Sequence, residues 1–426
     1  MELLLSFLFA LFFTSGVISA PTSHQHKGRS YKVGRIRAGN GAVDGPVALR
    51  KAYRKYNIIP SDLGVDLPDF KPLSTKPASA NKLVSEPEKS GSVSAVSVAG
   101  DVAFVSPVTV GGQKLVLNLD TGSADFWLMN SRIPKGAIRD RTRLFHPENS
   151  STFEDMPDAS FDVSYGDSSY AFGRVGTDTV NMGGAIVKKQ AIGLPDQVSD
   201  SLIGETYDDG LVGLSFSSIN TVRPQRQKTF FENVAKDLDV PVFTTALKSS
   251  GVGEYEFGAI DHSKYTGDIS NVTVDPSRGF WEFEAAHFAV GNGTVRSTKT
   301  KPTAIADTGT SLMLLDQEVV DAYYKQVPGA VFARGASGYI HPCKADMPNL
   351  SIAVGPKHLA TVPGHFLSFS VVGTNITTGE KVCYGGVQSN QGGRMQILGD
   401  VFLKAFFVIF DLRGPSLGIA SLKQPV

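Results

Sequence analysis

The tripeptide Asp-Thr-Gly occurs twice, in "LNLDTGSADFW" (117–127) and "AIADTGTSLML" (304–314), each time directly behind an apolar run. A carboxylate at the end of a core-seeking strand is costly unless a turn and nearby donors receive it. Gly after Thr lets the backbone turn sharply beside the acid, and the neighbouring Thr and Ser hydroxyls can supply the hydrogen bonds. An apolar-apolar-Gly element follows each acid at nearly the same distance. Gly213 in "LVGL" stands 93 residues after Asp120, and Gly399 in "ILGD" stands 92 after Asp307. Two matched pairs imply two lobes built on one plan. A pseudo-twofold axis between them would bring the two carboxylates together.

The surrounding sequence suits strands. From residue 90 onward, short runs of Val, Ile, Phe and Thr alternate with Gly, Asn, Asp and Ser. In "VAFVSPVTVGGQKLVLNLD" the pair Gly111-Gly112 between two such runs predicts a hairpin. Helical patterns are few, chiefly "TFFENVAKDL" and "DQEVVDAYYKQV", each opened by a Thr or Asp that can cap it. With 426 residues, 41% of them hydrophobic, the chain can bury a large core in more than one lobe. The expected fold is all-β and bilobal, with a few short helices.

Charge divides the chain. Residues 1–20, "MELLLSFLFALFFTSGVISA", form one apolar run ending in small residues, which reads as a secretory signal with Ala20 as its last residue. Residues 21–89 carry 13 Lys and Arg against 6 Asp and Glu, whereas the chain from residue 90 carries 28 against 34. Opposite charges invite these two parts to associate. The alternative is a solvated tail, but "ALRKAYRKYNI" places Ala48, Leu49, Ala52 and Tyr56 at helical spacing, so this stretch can fold against an acidic surface. "LPDFKPLSTKPASANKLVSEPEKSGS" then reads as an exposed linker.

The overall formal charge is zero, so no basic stripe argues for nucleic acid. No later apolar run reaches the thickness of a bilayer, and the ending "GIASLKQPV" argues against a lipid anchor. Cys343 and Cys383 are the only cysteines; in a secreted chain they read as one bridge across 40 residues, the alternative being two buried thiols. Sequons at Asn149, Asn271, Asn292, Asn349 and Asn375 fit the secretory route as opportunities for glycosylation.

Two carboxylates at hydrogen-bond distance in a low-dielectric site cannot both ionise cheaply, and should share a proton. The ionised partner can then take a proton from a trapped water while the protonated one donates to a carbonyl oxygen. One residue type supplies both acid and base.

These residues resemble the pepsin-like aspartic endopeptidases, most closely the secreted fungal ones of penicillopepsin and aspergillopepsin type. The likeness rests on "DTGSADFW", "SYGD" at 164–167, "DGLVGL" at 209–214, "ADTGTS" and "ILGDVFLKAFFVIFD" at 397–411. It implies Asp120 and Asp307 as a catalytic dyad, with Ser123 and Thr310 bonding their outer oxygens. Thr121 and Thr308 would cross-link the turns, and Gly122 and Gly309 would admit substrate backbone. Tyr165 and Gly166 would form the tip of a flap, with Ser169 beside it and Trp127 holding the Tyr165 phenol. Asp167 at that tip implies acceptance of Lys, besides large apolar residues, before the scissile bond. Ser168 stands where the family more commonly has Gly.

The resemblance further implies that residues 21–89 are an inhibitory propeptide, with Lys55-Tyr56 across the cleft and self-cleavage near Glu88–Ser90. The lobes are expected at 90–265 and 266–426, in a monomer acting on proteins or peptides without cofactor or metal. Release to the medium is expected rather than vacuolar retention. Phe231, core by default in its helix, would by resemblance reach a substrate pocket.

Two other classes compete. Asp-Thr-Gly and Gly-Thr-Ser also resemble subtilisin-like serine peptidases, but none of the eight His lies in a His-Gly-Thr context that would activate a Ser. A pepsin-shaped binding module without catalysis would be expected to lack one Asp, and both are present. Two Cys and scattered His give no usual zinc spacing. "GVGEYEFG" has Glu256 where a dinucleotide pattern needs its third Gly.

Overall fold

Strands are the most abundant elements of the computed structural model, and one large sheet joins its halves. The structure describes residues 30–37, 44–60, 64–72 and 104–423, except 135, 137, 139, 140, 142, 165–168, 205 and 249–252. The leader, the cleavage region near residue 89 and the Tyr165-Gly166-Asp167 tip lie outside the described residues.

The first strands in chain order are β1 (Tyr31–Arg37), β2 (Phe70–Pro72), β3 (Phe104–Val110), β4 (Gln113–Asp120) and β5 (Phe126–Leu128). They are followed by β6 (Glu154–Ser164), β7 (Tyr170–Met182), β8 (Ala185–Val198) and β9 (Gly210–Gly213). Helix α1 (Gly45–Lys55) lies between β1 and β2. Strands β3 and β4 form the hairpin expected at Gly111-Gly112, whose φ values of 52° and 78° only glycine adopts without cost.

Both halves repeat one topology. Strand β4 runs parallel to β9, with Asp120 opposite Gly213, and β9 runs antiparallel to β5. In the second half, Thr303–Ala306 runs parallel to Gln396–Leu398, which runs antiparallel to Met313–Leu315. The apolar-apolar-Gly strand thus threads between the strand that leads to the acid and the strand that follows its turn. That is why the two spacings match. A Cβ on Gly213 would lie 2.6 Å from the Ala124 backbone, and one on Gly399 2.3 Å from the Thr310 carbonyl oxygen. The crossing needs glycine.

One 13-stranded sheet joins the halves. It runs from β6 at one edge through β7, β8, β5, β9, β4, β3 and β1 to 253–257, 242–247, 406–411, 416–422 and 265–273. Its middle is buried by an aromatic cluster in which Phe243 stacks on Phe410 at 4.4 Å and Trp281 packs edge-on to Phe410 at 5.2 Å. The expected helices form at Phe230–Val234 and Gln317–Tyr324. Cys343 and Cys383 form a disulfide. No helix among the described residues is long and apolar enough to cross a membrane.

The basic N-terminal segment is more structured than its sequence suggests. Strand β1 pairs with 253–257 on one side and β3 on the other. Helix α1 is capped by Asp44, whose Oδ1 accepts from Val47 N at 3.0 Å. It buries Ala48, Leu49, Ala52 and Tyr53 against Ile305, Leu312, Tyr384 and Ile397. Tyr56, placed by spacing in that apolar stripe, packs against the same cluster at the helix end and points its hydroxyl to Asp307. Part of the expected linker is a strand: β2 pairs with Ser368–Asn375. That edge has backbone groups to satisfy, and Gly373 leaves room for the Phe70 ring, which a Cβ there would meet at 2.3 Å.

Candidate active site

Each Asp-Thr-Gly turn delivers its acid to the junction of the halves, where Asp120 is 1% exposed and Asp307 fully buried. Beneath them the two threonines reciprocate. Thr121 N donates to Thr308 Oγ1 at 3.1 Å, and Thr308 N to Thr121 Oγ1 at 3.0 Å. Each hydroxyl also donates across the axis, Thr121 Oγ1 to Ala306 O and Thr308 Oγ1 to Leu119 O, both at 2.7 Å. Four buried hydrogen bonds fix one acid relative to the other. The pseudo-twofold axis inferred from the spacings passes through this grip.

The turns also charge the acids symmetrically. Gly122 N donates to Asp120 Oδ1 at 2.8 Å, and Gly309 N to Asp307 Oδ1 at 2.9 Å. A Cβ on Gly309 would lie 2.3 Å from Asp120 Oδ1, and one on Gly122 2.6 Å from Asp307 Oδ1. The outer oxygens differ. Ser123 Oγ donates to Asp120 Oδ2 at 2.6 Å, whereas Asp307 Oδ2 accepts from the Tyr56 hydroxyl at 2.6 Å. Thr310 Oγ1 is buried with no partner in ideal bonding geometry, yet its hydroxyl lies close enough to Asp307 to help draw the carboxyl pKa down.

Lys55 closes the site. Its Nζ lies 2.6 Å from Asp120 Oδ1, 2.8 Å from Asp307 Oδ1 and 2.9 Å from Asp307 Oδ2. Burial alone would neutralise this ammonium, but the charges of Asp120 and Asp307 outweigh it and hold the Lys55 pKa above its ordinary value. Burial likewise pushes both carboxyls up. At Asp307 the Lys55 charge and its hydrogen bonds win and bring the pKa down to about 2. At Asp120 burial wins, with repulsion from Asp307 adding to it and Lys55 opposing. The two acids titrate together.

Beside Asp120 opens a cavity of about 200 Å³, lined among others by Trp127, Asp125, Leu211, Val163 and Ser164 and entered by Lys51, Arg54 and Lys55 of α1. Residues 51, 54 and 55 share one helix face, so α1 turns an apolar stripe to the second half and a basic one to the cleft. Trp127 is 4% exposed, and its Nε1 donates to no described residue. Ser169, directly before β7, is buried.

Phe231 does not reach the cleft. It is 1% exposed, packed edge-on to Phe243 at 4.7 Å. The capping box of Thr229 and Glu232 sets its helix so that the ring enters the aromatic core. Asn149, Asn271, Asn292 and Asn349 are exposed, and Asn375 is half-buried beside β2. Sequence reasoning passed over Asp125, whose carboxylate is 6% exposed and accepts from Asn220 and Thr221. The available signal was a second acid five residues after the first, in "DTGSAD".

Residues 103–422 match the model of the family described as eukaryotic aspartyl protease. A protein named as an aspergillopepsin A-like aspartic endopeptidase in Aspergillus fumigatus is 61% identical, over 99% of this chain and 100% of its own length. The aspartic protease PEP3 of Coccidioides posadasii is 48% identical over 95% of this chain and 92% of its own. Aspergillopepsin-1 of Aspergillus flavus is 38% identical over 96% and 95%.

Proposed function

This chain belongs to the eukaryotic aspartyl protease family and is an aspartic endopeptidase that hydrolyses proteins at acidic pH; we propose that Asp120 and Asp307 are its catalytic dyad and that residues 21–89 keep it inactive until acidification. The observation that carries this reading is Lys55, one ammonium within 2.9 Å of both carboxylates. It occupies the space where a water and a scissile carbonyl would have to sit.

Once Lys55 leaves, two close carboxylates in a buried site retain one proton between them, the behaviour for which aspartic proteases are the standard example. The ionised acid takes a proton from water as the water oxygen bonds to the carbonyl carbon. Its protonated partner donates to the carbonyl oxygen. The newly protonated acid then gives its proton to the amide nitrogen while a hydroxyl of the tetrahedral intermediate returns one to the other acid. The C–N bond breaks to a carboxylic acid and an amine, and the dyad again holds one proton. Water is the nucleophile, so no acyl-enzyme forms. The grip of Thr121 and Thr308 holds both acids in place for these transfers.

The finer reading follows the sequence. Residues 1–20 direct export to the medium, 90–265 and 266–426 form the lobes, and the cleft takes an extended peptide under a hairpin tipped by Tyr165. Asp167 admits Lys, besides large apolar residues, before the scissile bond. Self-cleavage near Glu88–Ser90 removes the basic segment. The test is the full chain brought from pH 7 to pH 3–5 with a denatured protein. Cleavage should appear together with a new N-terminus near residue 90. Asp120→Asn and Asp307→Asn should each abolish both. Wild-type activity that survives both substitutions would refute the dyad, and Asp167→Ala with an unchanged Lys-to-Phe preference would refute that specificity.

A further inference from the structure

Asp125 is a buried acid for which the reaction above has no use. Its Oδ1 accepts three hydrogen bonds, from Asn220 Nδ2, Thr221 N and Thr221 Oγ1, each at 3.0 Å. All three donors belong to the segment that follows β9, and none is a charged side chain. Asn220 spreads the hold, since its Oδ1 accepts from Val222 N at 3.2 Å and Gln227 N at 2.9 Å. Its Nδ2 also donates to Ala124 O at 3.1 Å. One oxygen of Asp125 therefore organises residues 220–227.

That segment in turn holds the outer edge of the β6–β7 hairpin. Strand β6 is the last strand of the large sheet, so its outer backbone groups have no neighbouring strand. Segment 220–223 takes that place. Arg223 N donates to Ser160 O at 2.8 Å, and Ser160 N to Arg223 O at 3.0 Å. Thr221 Oγ1 accepts from Asp162 N at 3.3 Å while donating to Asp125. Val163 and Ser164, the next residues of β6, line the cavity beside Asp120.

We infer that Asp125 is a positioning residue, which through Thr221 and Arg223 sets the place of the end of β6, whose Val163 and Ser164 line the cavity beside Asp120. Asp125 stands five residues after Asp120, on the far side of the same turn. The end of β6 nearest the cavity is thereby referenced to the turn that carries the acid, rather than to a distant part of the sheet. The inference deepens the dyad reading above and rests on it. What Asp125 must supply is an acceptor at Oδ1, which its ionised form, its protonated form and an asparagine all provide.

Asp125→Val removes the acceptor and Asp125→Asn keeps it. Kinetics on a fluorogenic peptide at pH 4, with hydrogen exchange on the same proteins, tests the idea. Asp125→Val should lower kcat/KM on the order of tenfold or more, with kcat and KM both affected, as for residues that place a moving element. Amide protection at Ser160, Asp162 and Arg223 should fall about tenfold, that of 406–411 staying as in wild type. Asp125→Asn should restore both readouts.

Should Asp125→Val fail to fold, Thr221→Val removes the hydroxyl that joins Asp125 to Asp162 and should reproduce part of the effect. Full kcat/KM in folded Asp125→Val, or in Thr221→Val where that variant stands in, would overturn the inference. So would loss of protection spread evenly over the sheet, or an Asp125→Asn as impaired as Asp125→Val. A wild-type protein that cleaves no peptide at any acid pH would instead refute the dyad reading, so the two failures are distinguishable.

Discussion

Replacing Lys55 by methionine keeps the length of the side chain and removes its charge. In the closed protein that charge lies against both acids, at 2.6 Å from Asp120 and 2.8 Å from Asp307. Removing one member of a buried ion pair costs about 3–5 kcal/mol. Against burial, the Lys55 charge draws the pKa of Asp307 down to about 2, which agrees in direction. The sign is that of a depressed acid: the contribution is full above pH ~4, where a free Asp is ionised, and fades as pH falls toward 2. Taking 3 kcal/mol, Lys55→Met should shift the closed-to-open ratio about 100-fold toward open at pH 5–6. The hydrophobic contacts of Ala48, Leu49, Ala52 and Tyr53 remain, so the segment should loosen rather than unfold. The assay is the initial rate on a short fluorogenic peptide at pH 5–6, with intact mass confirming that residues 21–89 are still attached. Wild type should be nearly silent and Lys55→Met tens of times faster, with release of the segment moved to higher pH. A Lys55→Met chain as silent as wild type, and released with the same pH midpoint, would show that α1 inhibits by packing alone.

Three further outcomes are expected. Gly122→Ala would place a methyl 2.3 Å from the Tyr56 hydroxyl and 2.6 Å from both Lys55 Nζ and Asp307 Oδ1; it should expel the segment and still lower kcat/KM by about 100-fold, since a displacement of 1 Å can cost that much, measured on peptide after acid treatment. Thr308→Val removes the hydroxyl that accepts from Thr121 N and donates to Leu119 O; Leu119 O keeps the Tyr255 hydroxyl at 3.2 Å, so with one buried donor left unpaired, urea unfolding should show a loss of about 1–3 kcal/mol. Burial raises the pKa of Asp125 to about 6 against hydrogen bonds from Thr221. Stability tied to its neutral form is therefore complete below pH ~4 and lost as pH rises through 6, up to about 3 kcal/mol. Asp125→Asn should gain on wild type in thermal unfolding as pH goes from 4 to 7, and a constant difference would refute that assignment.

Much of the site was legible because the sequence states its symmetry twice. Matched spacings from Asp120 to Gly213 and from Asp307 to Gly399 are a topological fact, since the glycine strand must cross between the acid's strand and the one after its turn. Hairpin β3–β4 was legible for a similar local reason, two adjacent glycines with positive φ. What stayed hidden depends on partners far away in the chain. Strand β1 carries a basic alternating sequence that becomes a central strand only because 253–257 and β3 leave a slot for it. The linker's Phe70 becomes part of β2 because Gly373, some 300 residues later, leaves room for its ring. Phe231 shows the same limit in reverse: resemblance places it near substrate, while the capping box of Thr229 and Glu232 turns the ring into the core. Asp125 is the instructive case. Its neighbours in sequence make it look like one more polar residue of an acid-bearing turn, and its meaning lies in Asn220 and Thr221, which no local pattern connects to it. Motifs report the groups that do the chemistry, whereas the groups that hold the surrounding elements in place emerge only when the chain has closed on itself.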